Sequence, residues 1–237
     1  MVNTEKEAMQ YLVEEVSPIE LFEIHEQQYS SKPLHHVKQV TPAAVNISTL
    51  TGLVDYIKSG LDWLKQGTML VQVVSPTQVK VLSQLKGDAG RDCFIDCQMQ
   101  PLKVIFDNFI DTERFNIMMQ ACFIENEDSM AILKIVGNIK ENTVRETGDD
   151  GISQEVTIKS GIARAANVVV PNPVSLRPYR TFTEVYQPES RFIFRMQEGP
   201  KAALFEADGG TWKHTAMENI KIFLESELAD CDVKIIS

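Results

Sequence analysis

One stretch near the carboxyl end constrains the fold most strongly, because a strand, a tight turn and the start of a helix follow one another directly. The apolar run Ala203–Phe205 stops before Asp208-Gly209-Gly210, and a helical pattern begins after Thr211. Two adjacent glycines favour a tight turn. The free N–H groups at the start of the helix can meet an anion, so this stretch is also a candidate binding site.

The clearest amphipathic helix is predicted near residues 48–65, where apolar residues recur every three or four positions. Its apolar stripe consists of Leu50, Leu53, Val54, Ile57, Leu61 and Leu64. Gly67 follows at the position of a left-handed C-terminal cap. A C-terminal helix near residues 211–228 has the same spacing. Each apolar stripe must be buried against something, so a sheet is expected beside these helices.

Capping residues indicate two further helices. Thr4 and Glu7 form a capping box ahead of apolar residues at helical spacing, which predicts a helix over residues 4–16. Asp111 is expected to cap a short helix. The chain should therefore contain about four helices.

Strands are predicted where valine-rich or alternating runs are separated by turns. Met69–Val74 and Gln78–Leu82 indicate a hairpin, and the alternation from Cys93 to Met99 indicates a third strand. A second hairpin is expected around Thr147–Gly151. Further predicted strands are Ile19–His25, Leu176–Val185, Phe192–Met196 and an edge strand Val233–Ile236. Hairpins give antiparallel pairing, so the predicted class is α+β with mostly antiparallel sheet built from hairpins.

A polar connection over residues 26–42, which contains two prolines and the pair His35-His36, is the predicted linker. The expected organisation is an N-terminal helix, strand and linker over residues 1–42 and a main α+β domain over residues 43–237. A division of the main domain near residue 125 is left open.

The charge and hydropathy of the chain restrict its partners. The formal net charge is −10, which argues against duplex DNA, because a basic surface usually supplies most of that affinity. No apolar stretch approaches the roughly 18–20 residues of a membrane span, and the first residues do not resemble a secretion signal. The sequence therefore predicts a cytoplasmic protein with no membrane partner.

The cysteine pattern predicts buried free thiols. No Cys-x-x-Cys pair is present among Cys93, Cys97, Cys122 and Cys231. Cys93 and Cys97 would lie about 13 Å apart along one strand, which is too far for a disulfide bond.

Candidates for catalysis are few. Asp149-Asp150 could hold a metal ion, but the flanking glycines and strands favour a hairpin turn. His25, His35 and His36 lie in or beside the linker without a recognisable ligand spacing, which favours solvated histidines. No Gly-x-Ser-x-Gly motif occurs. Neither a cofactor nor a metal is predicted, and whether the protein is an enzyme stays open, with a binding role favoured.

Arginine and aromatic residues are concentrated in one window near the end of the chain. The candidate binding residues there are Arg177, Tyr179, Arg180, Arg191 and Arg195. Guanidinium groups beside aromatic rings suit phosphates and bases. The alternative is a solvated basic face of an amphipathic sheet, in which Arg191 and Arg195 point away from Phe192 and Phe194.

The glycine turn supplies a second group of candidates. Lys213 and His214 lie in the first helical turn, where cations oppose the helix dipole unless an anion compensates them. The hypothesis is an anionic ligand bound by Gly209, Gly210, Thr211, Lys213 and His214. The alternative is a plain turn with Thr211 as the helix cap and Trp212 packed as an anchor.

Several segments, in order along the chain, resemble the YfdQ-like family of phage and prophage proteins. They are YSSKPLHHV, LTGLVDYIK, LVQVVSPTQVKVLS, GNIKENTVRETGDDGISQEVTIKSGI, VPNPVSLRPYRTFTEVYQPESRFIFRM and ALFEADGGTWKHTAMENI. The resemblance covers most of the chain from about Tyr29 onward. It implies a phage-encoded protein that works in the bacterial cytoplasm outside the structural set of the virion, and it brings no catalytic residue or cofactor.

The leading expectation is a phage or prophage accessory protein of the binding type, acting on a host or phage macromolecule or on a small anionic ligand. A homo-oligomer is expected, since exposed sheet edges are often covered by another copy. One alternative is a DNA-metabolism factor that binds single strands through the arginine window. Another is a metal-dependent hydrolase of nucleotides whose site is assembled from distant residues.

Overall fold

A computed structural model gives the architecture of ten stretches of the chain. They are residues 2–24, 27–32, 43–61, 68–87, 89–137, 145–149, 154–159, 165–170, 172–197 and 199–237. The chain forms two units, Met1–Thr41 and Pro42–Ser237.

The first unit contains a helix and a two-stranded antiparallel hairpin. Helix α1 (Val2–Val16) begins two residues before Thr4, so the predicted helix is present with an earlier start. Strand β1 (Leu21–Ile24) pairs with β2 (Gln27–Ser30), which lies in the segment predicted to be a linker. Residues 27–30 form backbone hydrogen bonds with β1, so this part of the predicted linker is a strand. His25, His35 and His36 lie outside the described residues.

The second unit contains the other elements. They are β3 (Val45–Ile47), α2 (Leu50–Ser59), β4 (Met69–Ser75), β5 (Gln78–Leu82), β6 (Cys93–Gln98), β7 (Ile110–Asp111), α3 (Thr112–Cys122), β8 (Phe123–Ile124), α4 (Glu127–Gly137), β9 (Arg145–Asp149), β10 (Gln154–Lys159), β11 (Ala165–Val170), β12 (Val174–Pro178), β13 (Ser190–Gln197), β14 (Lys201–Glu206), α5 (Trp212–Glu227) and β15 (Val233–Ile236). The class is α+β, as predicted.

A five-stranded sheet in the order β15-β4-β5-β6-β3 carries the first core. The predicted hairpin of β4 and β5 and the predicted edge strand β15 are confirmed. The pairs β15/β4 and β3/β6 are parallel and the others antiparallel, so the sheet is mixed. Side chains of α2 and α5 fill the space against these strands; the fully buried ones include Leu50, Leu53, Ile57, Val71, Val79, Val81, Ile95, Ile220 and Leu224.

A second sheet, in the order β7-β14-β13-β12-β8, is antiparallel throughout and carries the second core with α3 and α4. The side chain of Asp111 accepts a hydrogen bond from the N–H of Arg114 at 2.8 Å, which confirms the predicted cap of α3. Helix α4 was not predicted. It begins with a reciprocal cap, in which the N–H of Ser129 donates to Asn126 Oδ1 and the N–H of Asn126 donates to Ser129 Oγ, both at 2.8 Å.

A three-stranded antiparallel sheet, in the order β11-β10-β9, contains the second predicted hairpin. Asp149 pairs with Gln154, so it belongs to a strand, whereas the sequence placed it in the turn. The backbone pairing of β9 with β10 therefore extends past Gly148 to Asp149, into the segment predicted to be the turn. Asp150 lies outside the described residues.

Two predicted boundaries are wrong. Helix α2 ends at Ser59, because Gly60 adopts φ 67° and its N–H donates to the carbonyl of Ile57. Gly67 lies outside the described residues, and Leu61 is 65% exposed instead of belonging to the buried stripe. The predicted strand Leu176–Val185 stops at Pro178.

The loop after Pro178 is held by the side chain of one buried residue, Gln187. Its Oε1 accepts hydrogen bonds from the N–H groups of Arg180 and Thr181, and its Nε2 donates to the carbonyl of Phe182 at 2.8 Å. An amide side chain thus satisfies backbone groups that a neighbouring strand would otherwise pair with, which is why the strand does not continue.

Candidate functional site

The glycine turn before α5 is closed by the chain's own carboxylate. Asp208 Oδ1 accepts a hydrogen bond from the N–H of Gly210 at 2.9 Å, and its carbonyl accepts from Thr211 Oγ1 at 2.6 Å. Thr211 has helical φ and ψ, and its side chain makes no capping hydrogen bond. Thr211 therefore occupies the N-cap position of α5, but the capping hydrogen bond expected from its side chain is absent. The Asp208 carboxylate lies where the hypothesis placed an anionic ligand.

The two glycines serve the backbone of the turn. Gly209 and Gly210 have φ of 63° and 79°, which residues with a Cβ rarely adopt. A Cβ added at either position would meet no atom within 4 Å. The glycines are thus required for conformation and not for the close approach of another group.

Lys213 and His214, the two cations of the first turn of α5, are exposed. The Nζ of Lys213 lies 6.0 Å from the centroid of the Trp212 ring. Because a negative charge at the N-terminus stabilises a helix, the Asp208 carboxylate offsets the unfavourable cations. The cations in the first turn of α5 therefore do not require a bound anion, because a carboxylate of the chain itself supplies the compensating charge.

Arg180 is buried, so it does not belong to an exposed binding surface as the sequence suggested. Its guanidinium contacts Glu206 Oε1 at 2.5 Å, lies 3.9 Å from Asp208 Oδ2 and donates a short hydrogen bond to Ser190 Oγ. Burial lowers the pKa of Arg180 to about 10, although Glu206 and Asp208 act to raise it. The group remains charged at neutral pH and acts as a structural link.

The charge of Asp208 is also stabilised in place. Burial by itself raises the pKa of this carboxyl group, but the hydrogen bonds from Ser190 and Gly210, the charge of Arg180 and the N–H of Trp212 outweigh it. The net result is a lowered pKa, so Asp208 is ionised at neutral pH.

Arg177 and Tyr179, the next two predicted residues, are both half-buried. Arg177 Nη1 donates to the hydroxyl of Tyr186 at 3.0 Å, and its Cζ lies 5.7 Å from the centroid of that ring. The N–H of Tyr179 donates to the carbonyl of Cys122 at 2.8 Å. Arg177 and the exposed Tyr186 therefore form a hydrogen-bonded pair at the surface, and the backbone of Tyr179 anchors the chain where β12 ends.

Arg191 and Arg195 point away from the core, as predicted, while Phe192 and Phe194 are fully buried. Ser175 lies opposite Arg191 in the ladder of β12 and β13, so these two residues share a face with Arg177 and Arg195. We call this surface the outer face of β12 and β13. Of the five arginine-window residues, the structure brings Arg177, Arg191 and Arg195 to this face.

A cleft of about 220 Å³ lies between this outer face and the start of α5. We call it the α5 cleft. Its lining consists of Ser175, Glu189, Ser190, Arg191, Asp208, Thr211, Trp212 and Thr215. Arg191 and Thr211 are candidates from the sequence, whereas Ser175, Ser190, Thr215 and Trp212 are not among the predicted binding residues. No local signal could reveal them, because three separate elements supply them.

A second cavity, of about 580 Å³, lies beside the edge strand β3. Its lining is Asn46, Ile47, Ser48, Asp96, Gln98, Met99, Gln100 and Pro101. The carboxylate of Asp96 accepts a hydrogen bond from Gln78 Nε2 at 2.7 Å and forms an ion pair with Lys80 Nζ at 3.7 Å. Amide and hydroxyl groups supply the rest of its polar lining, and Ile47, Met99 and Pro101 supply the apolar part.

The described stretches hold no group of three or more His, Cys, Asp or Glu side chains that could bind a metal ion. Within the same ranges, every helix is too short or too polar to cross a membrane. All four cysteines are free, and Cys97 and Cys122 are buried while Cys93 and Cys231 are half-buried.

The first unit exposes an unusual amount of apolar surface. Among its described side chains, nine large apolar ones are exposed, from 47% for Phe22 to 81% for Val16. They are Met9, Tyr11, Leu12, Val13, Val16, Ile19, Leu21, Phe22 and Tyr29. The predicted stripe of α1 is therefore a surface feature.

Comparison of the chain with models of known protein families, with curated proteins and with solved structures finds no match.

Proposed function

We propose that this chain is a phage or prophage accessory protein that works in the bacterial cytoplasm by binding another protein, a second copy included, through its first unit. The observation that carries the binding role is the set of nine exposed apolar side chains in that unit. The phage origin is supported by the resemblance to the YfdQ-like family, and membership of that family stays a prediction.

The size of the first unit supports a docking role. A single 15-residue helix and one two-stranded hairpin are each only marginally stable in water when isolated. Burying apolar surface stabilises a complex by roughly 25 cal/mol for each Å² removed from water. Covering the side chains of Leu12 and Val16 with a partner would stabilise α1 and the complex together. Contiguous exposed patches of this kind mark interaction sites on soluble proteins.

The charge of the first unit favours a protein partner. Glu5 and Glu7 are exposed on α1, and Glu20 and Glu23 follow it. Nucleic acids and anionic lipid surfaces attract basic segments, so these carboxylates would oppose binding to either. A protein surface with an apolar groove suits both the stripe and its acidic surroundings.

Native mass spectrometry of protein purified from phage-infected or prophage-bearing cells tests this proposal. Leu12→Glu places a charge in the exposed stripe, and Gln10→Glu adds the same charge to the same helix away from it. We expect the wild type and Gln10→Glu to retain a second chain and Leu12→Glu to lose it. A wild-type protein with no bound chain, or a complex that survives Leu12→Glu, contradicts the proposal.

A second candidate is supported by the outer face of β12 and β13. The Arg177–Tyr186 pair lies there with Arg191 and Arg195, and arginines beside an exposed aromatic ring suit single-stranded nucleic acid. Oligothymidine binding that weakens steeply with salt, and that Arg191→Gln reduces, would support it. Arg114→Gln, at an exposed position on α3, is the control. Salt-independent or absent binding excludes this candidate.

The metal-dependent hydrolase stays a prediction from the sequence. No arrangement of side chains within the described ranges favours it.

A further inference from the structure

We propose that the groove beside β3 binds an extended, uncharged peptide segment of a partner protein, which adds to the first sheet as a short strand. This groove has a volume of about 580 Å³, and we call it the β3 groove. It belongs to the second unit, whereas the docking surface proposed for function lies in the first unit. The two binding surfaces can therefore be tested separately.

The β3 groove forms where two parallel neighbours, β3 and β6, separate. Their pairing ends at Ile47 and Cys97. After Ile47 the chain leaves the sheet and begins α2 at Leu50, whereas β6 stays paired with β5 as far as Gln98, which lies opposite Gln78. Beyond Cys97, the edge of β6 thus has no neighbouring strand among the described residues. A peptide in the groove would lie where a longer β3 would continue.

The backbone of Gln100 faces the groove. The N–H of Met99 donates to the carbonyl of Thr77 at 3.0 Å, so Met99 is turned toward the hairpin of β4 and β5. Pro101 favours an extended Gln100, and consecutive residues of an extended chain direct their N–H and C=O groups to opposite edges. The backbone groups of Gln100 therefore point away from the hairpin, and they form no hydrogen bond within the described part of the chain. An open backbone edge of this kind pairs with another extended chain.

The polar side chains of the groove suit a peptide backbone. The amides of Asn46, Gln98 and Gln100 and the hydroxyl of Ser48 can each donate and accept hydrogen bonds, as a peptide does. All four side chains are exposed, and none forms a hydrogen bond with another described residue. A bound peptide would therefore replace water around them without breaking a contact of the fold.

The charge of the groove favours an uncharged ligand. Asp96 is the one charged residue of the lining. Its carboxylate accepts a hydrogen bond from Gln78 and forms an ion pair with Lys80 at 3.7 Å. A cationic ligand would compete with Lys80 for this carboxylate, and an anionic ligand would be repelled by it. A neutral peptide avoids both costs.

The register of the sheet predicts the side-chain pattern of the peptide. Ile47 pairs with the buried Cys97, and Asn46 pairs with Asp96. Alternate residues of a strand lie on opposite faces, so Ile47 shares its face with Met99, which is also buried. A strand that continues β3 meets an apolar face on one side and a polar face on the other. We therefore expect alternating apolar and polar residues in the bound segment.

The size of the groove fits a short segment. Its volume of about 580 Å³ falls within the roughly 300–1,000 Å³ of ligand sites in proteins. A short strand buries less than the roughly 1,200 Å² of a stable protein interface, so its binding is weak and reversible. Such a contact does not retain a partner through purification. Native mass spectrometry therefore tests docking through the first unit, and titration tests the β3 groove.

Titration of the ¹⁵N-labelled full chain with the peptide acetyl-Thr-Val-Gln-Val-Thr-amide tests the proposal. The probe is uncharged and alternates polar and apolar residues. We expect saturable shifts of the backbone ¹H–¹⁵N resonances of Gln98 and Gln100. The matched control is the same peptide with its three central amides N-methylated, which removes the donors of both edges. It should bind at least about fivefold more weakly, the equivalent of one lost hydrogen bond.

Two variants at one exposed position isolate the backbone donor of the groove. Gln100→Pro removes the N–H group, whereas Gln100→Ala removes only the side-chain amide. Followed at Gln98, Gln100→Pro should bind the peptide about fivefold more weakly than Gln100→Ala. Unshifted resonances of α3 and α4 show that the variants keep their fold.

Three outcomes would overturn the proposal. The first is a wild-type spectrum in which Gln98 and Gln100 do not respond to the peptide. The second is equal binding of the plain and the N-methylated peptide, which would show that no strand is added. The third is a set of shifts confined to α1 and β1, which would place binding on the first unit and agree with the docking surface there.

Discussion

The guanidinium of Arg180 lies on the indole ring of Trp212, with its Cζ 3.9 Å from the ring centroid. This contact joins the loop after β12 to the first residue of α5. A planar, weakly hydrated guanidinium gains from stacking on an aromatic face while its edge donates hydrogen bonds. Here the edge reaches Glu206 and Ser190, so one side chain ties together a loop, two strands and a helix.

Replacing Arg180 should destabilise the fold strongly. Arg180→Met keeps an apolar stem of similar length but leaves the Glu206 and Asp208 carboxylates without their cation. Asp208 is nearly buried, but Glu206 is 38% exposed and can be hydrated, so we expect a loss of about 2 kcal/mol in the free energy of unfolding. Urea denaturation at pH 7 measures this loss. Arg114→Met at an exposed site should change it by about 0.5 kcal/mol at most, and equal effects of the two variants would contradict the structural role of Arg180.

The Asp208 carboxyl group should make stability depend on acid pH. Its pKa is lowered in the folded protein, so the unfolded chain binds a proton at higher pH than the folded chain does. Its stabilising contribution is complete well above the ordinary aspartate pKa of about 3.9 and is lost as the pH falls through the folded value. Asp208→Asn has no ionisable group at this position, so it lacks this pH-dependent contribution to stability.

Unfolding in urea at pH 7 and at pH 3 checks the prediction. The difference in free energy of unfolding between the wild type and Asp208→Asn should be larger at pH 7. A difference that does not change with pH would show that the charge of Asp208 contributes nothing.

The elements that the sequence predicts well are those with local periodicity. The valine alternation of β4 and β5 and the stripe at Leu50, Leu53 and Ile57 depend only on neighbouring residues, and these elements are confirmed. The end of α2 is different, because Gly60 and Gly67 both suit a left-handed cap. The apolar residue Leu61 extends the helical pattern, yet it is exposed in the structure.

The candidate site was predictable only in part. The alternation in β13 correctly separates Arg191 from Phe192, whereas nothing near Arg180 indicates that it is buried. Its burial depends on Glu206 and Trp212, which lie in later elements. The loop that positions Arg180 depends in turn on Gln187, a polar residue that a local pattern assigns to the surface.

The thiol of Cys97 should be unreactive in the folded protein. Burial, together with the nearby charges of Glu184 and Asp96, raises its pKa to about 12. At pH 8 roughly one molecule in ten thousand carries the reactive thiolate. Alkylation with iodoacetamide followed by mass spectrometry should modify the half-buried Cys231 well before Cys97. Unfolding in urea should abolish the difference, and equal rates in the native protein would contradict the burial of Cys97.

The backbone conformation of the glycine turn can be tested separately from its surroundings. Gly210 has φ of 79°, and a Cβ there would meet no atom within 4 Å, so Gly210→Ala changes only the conformational energy. A residue with a Cβ in this region costs about 1–2 kcal/mol, and urea denaturation should show a loss of that size. Gly137, at the end of α4, has equally open surroundings without a positive φ. Gly137→Ala should therefore be neutral or stabilising by up to about 1 kcal/mol, since alanine favours helix. If both variants lost the same stability, the cause would be the added methyl group and not the left-handed backbone of the turn.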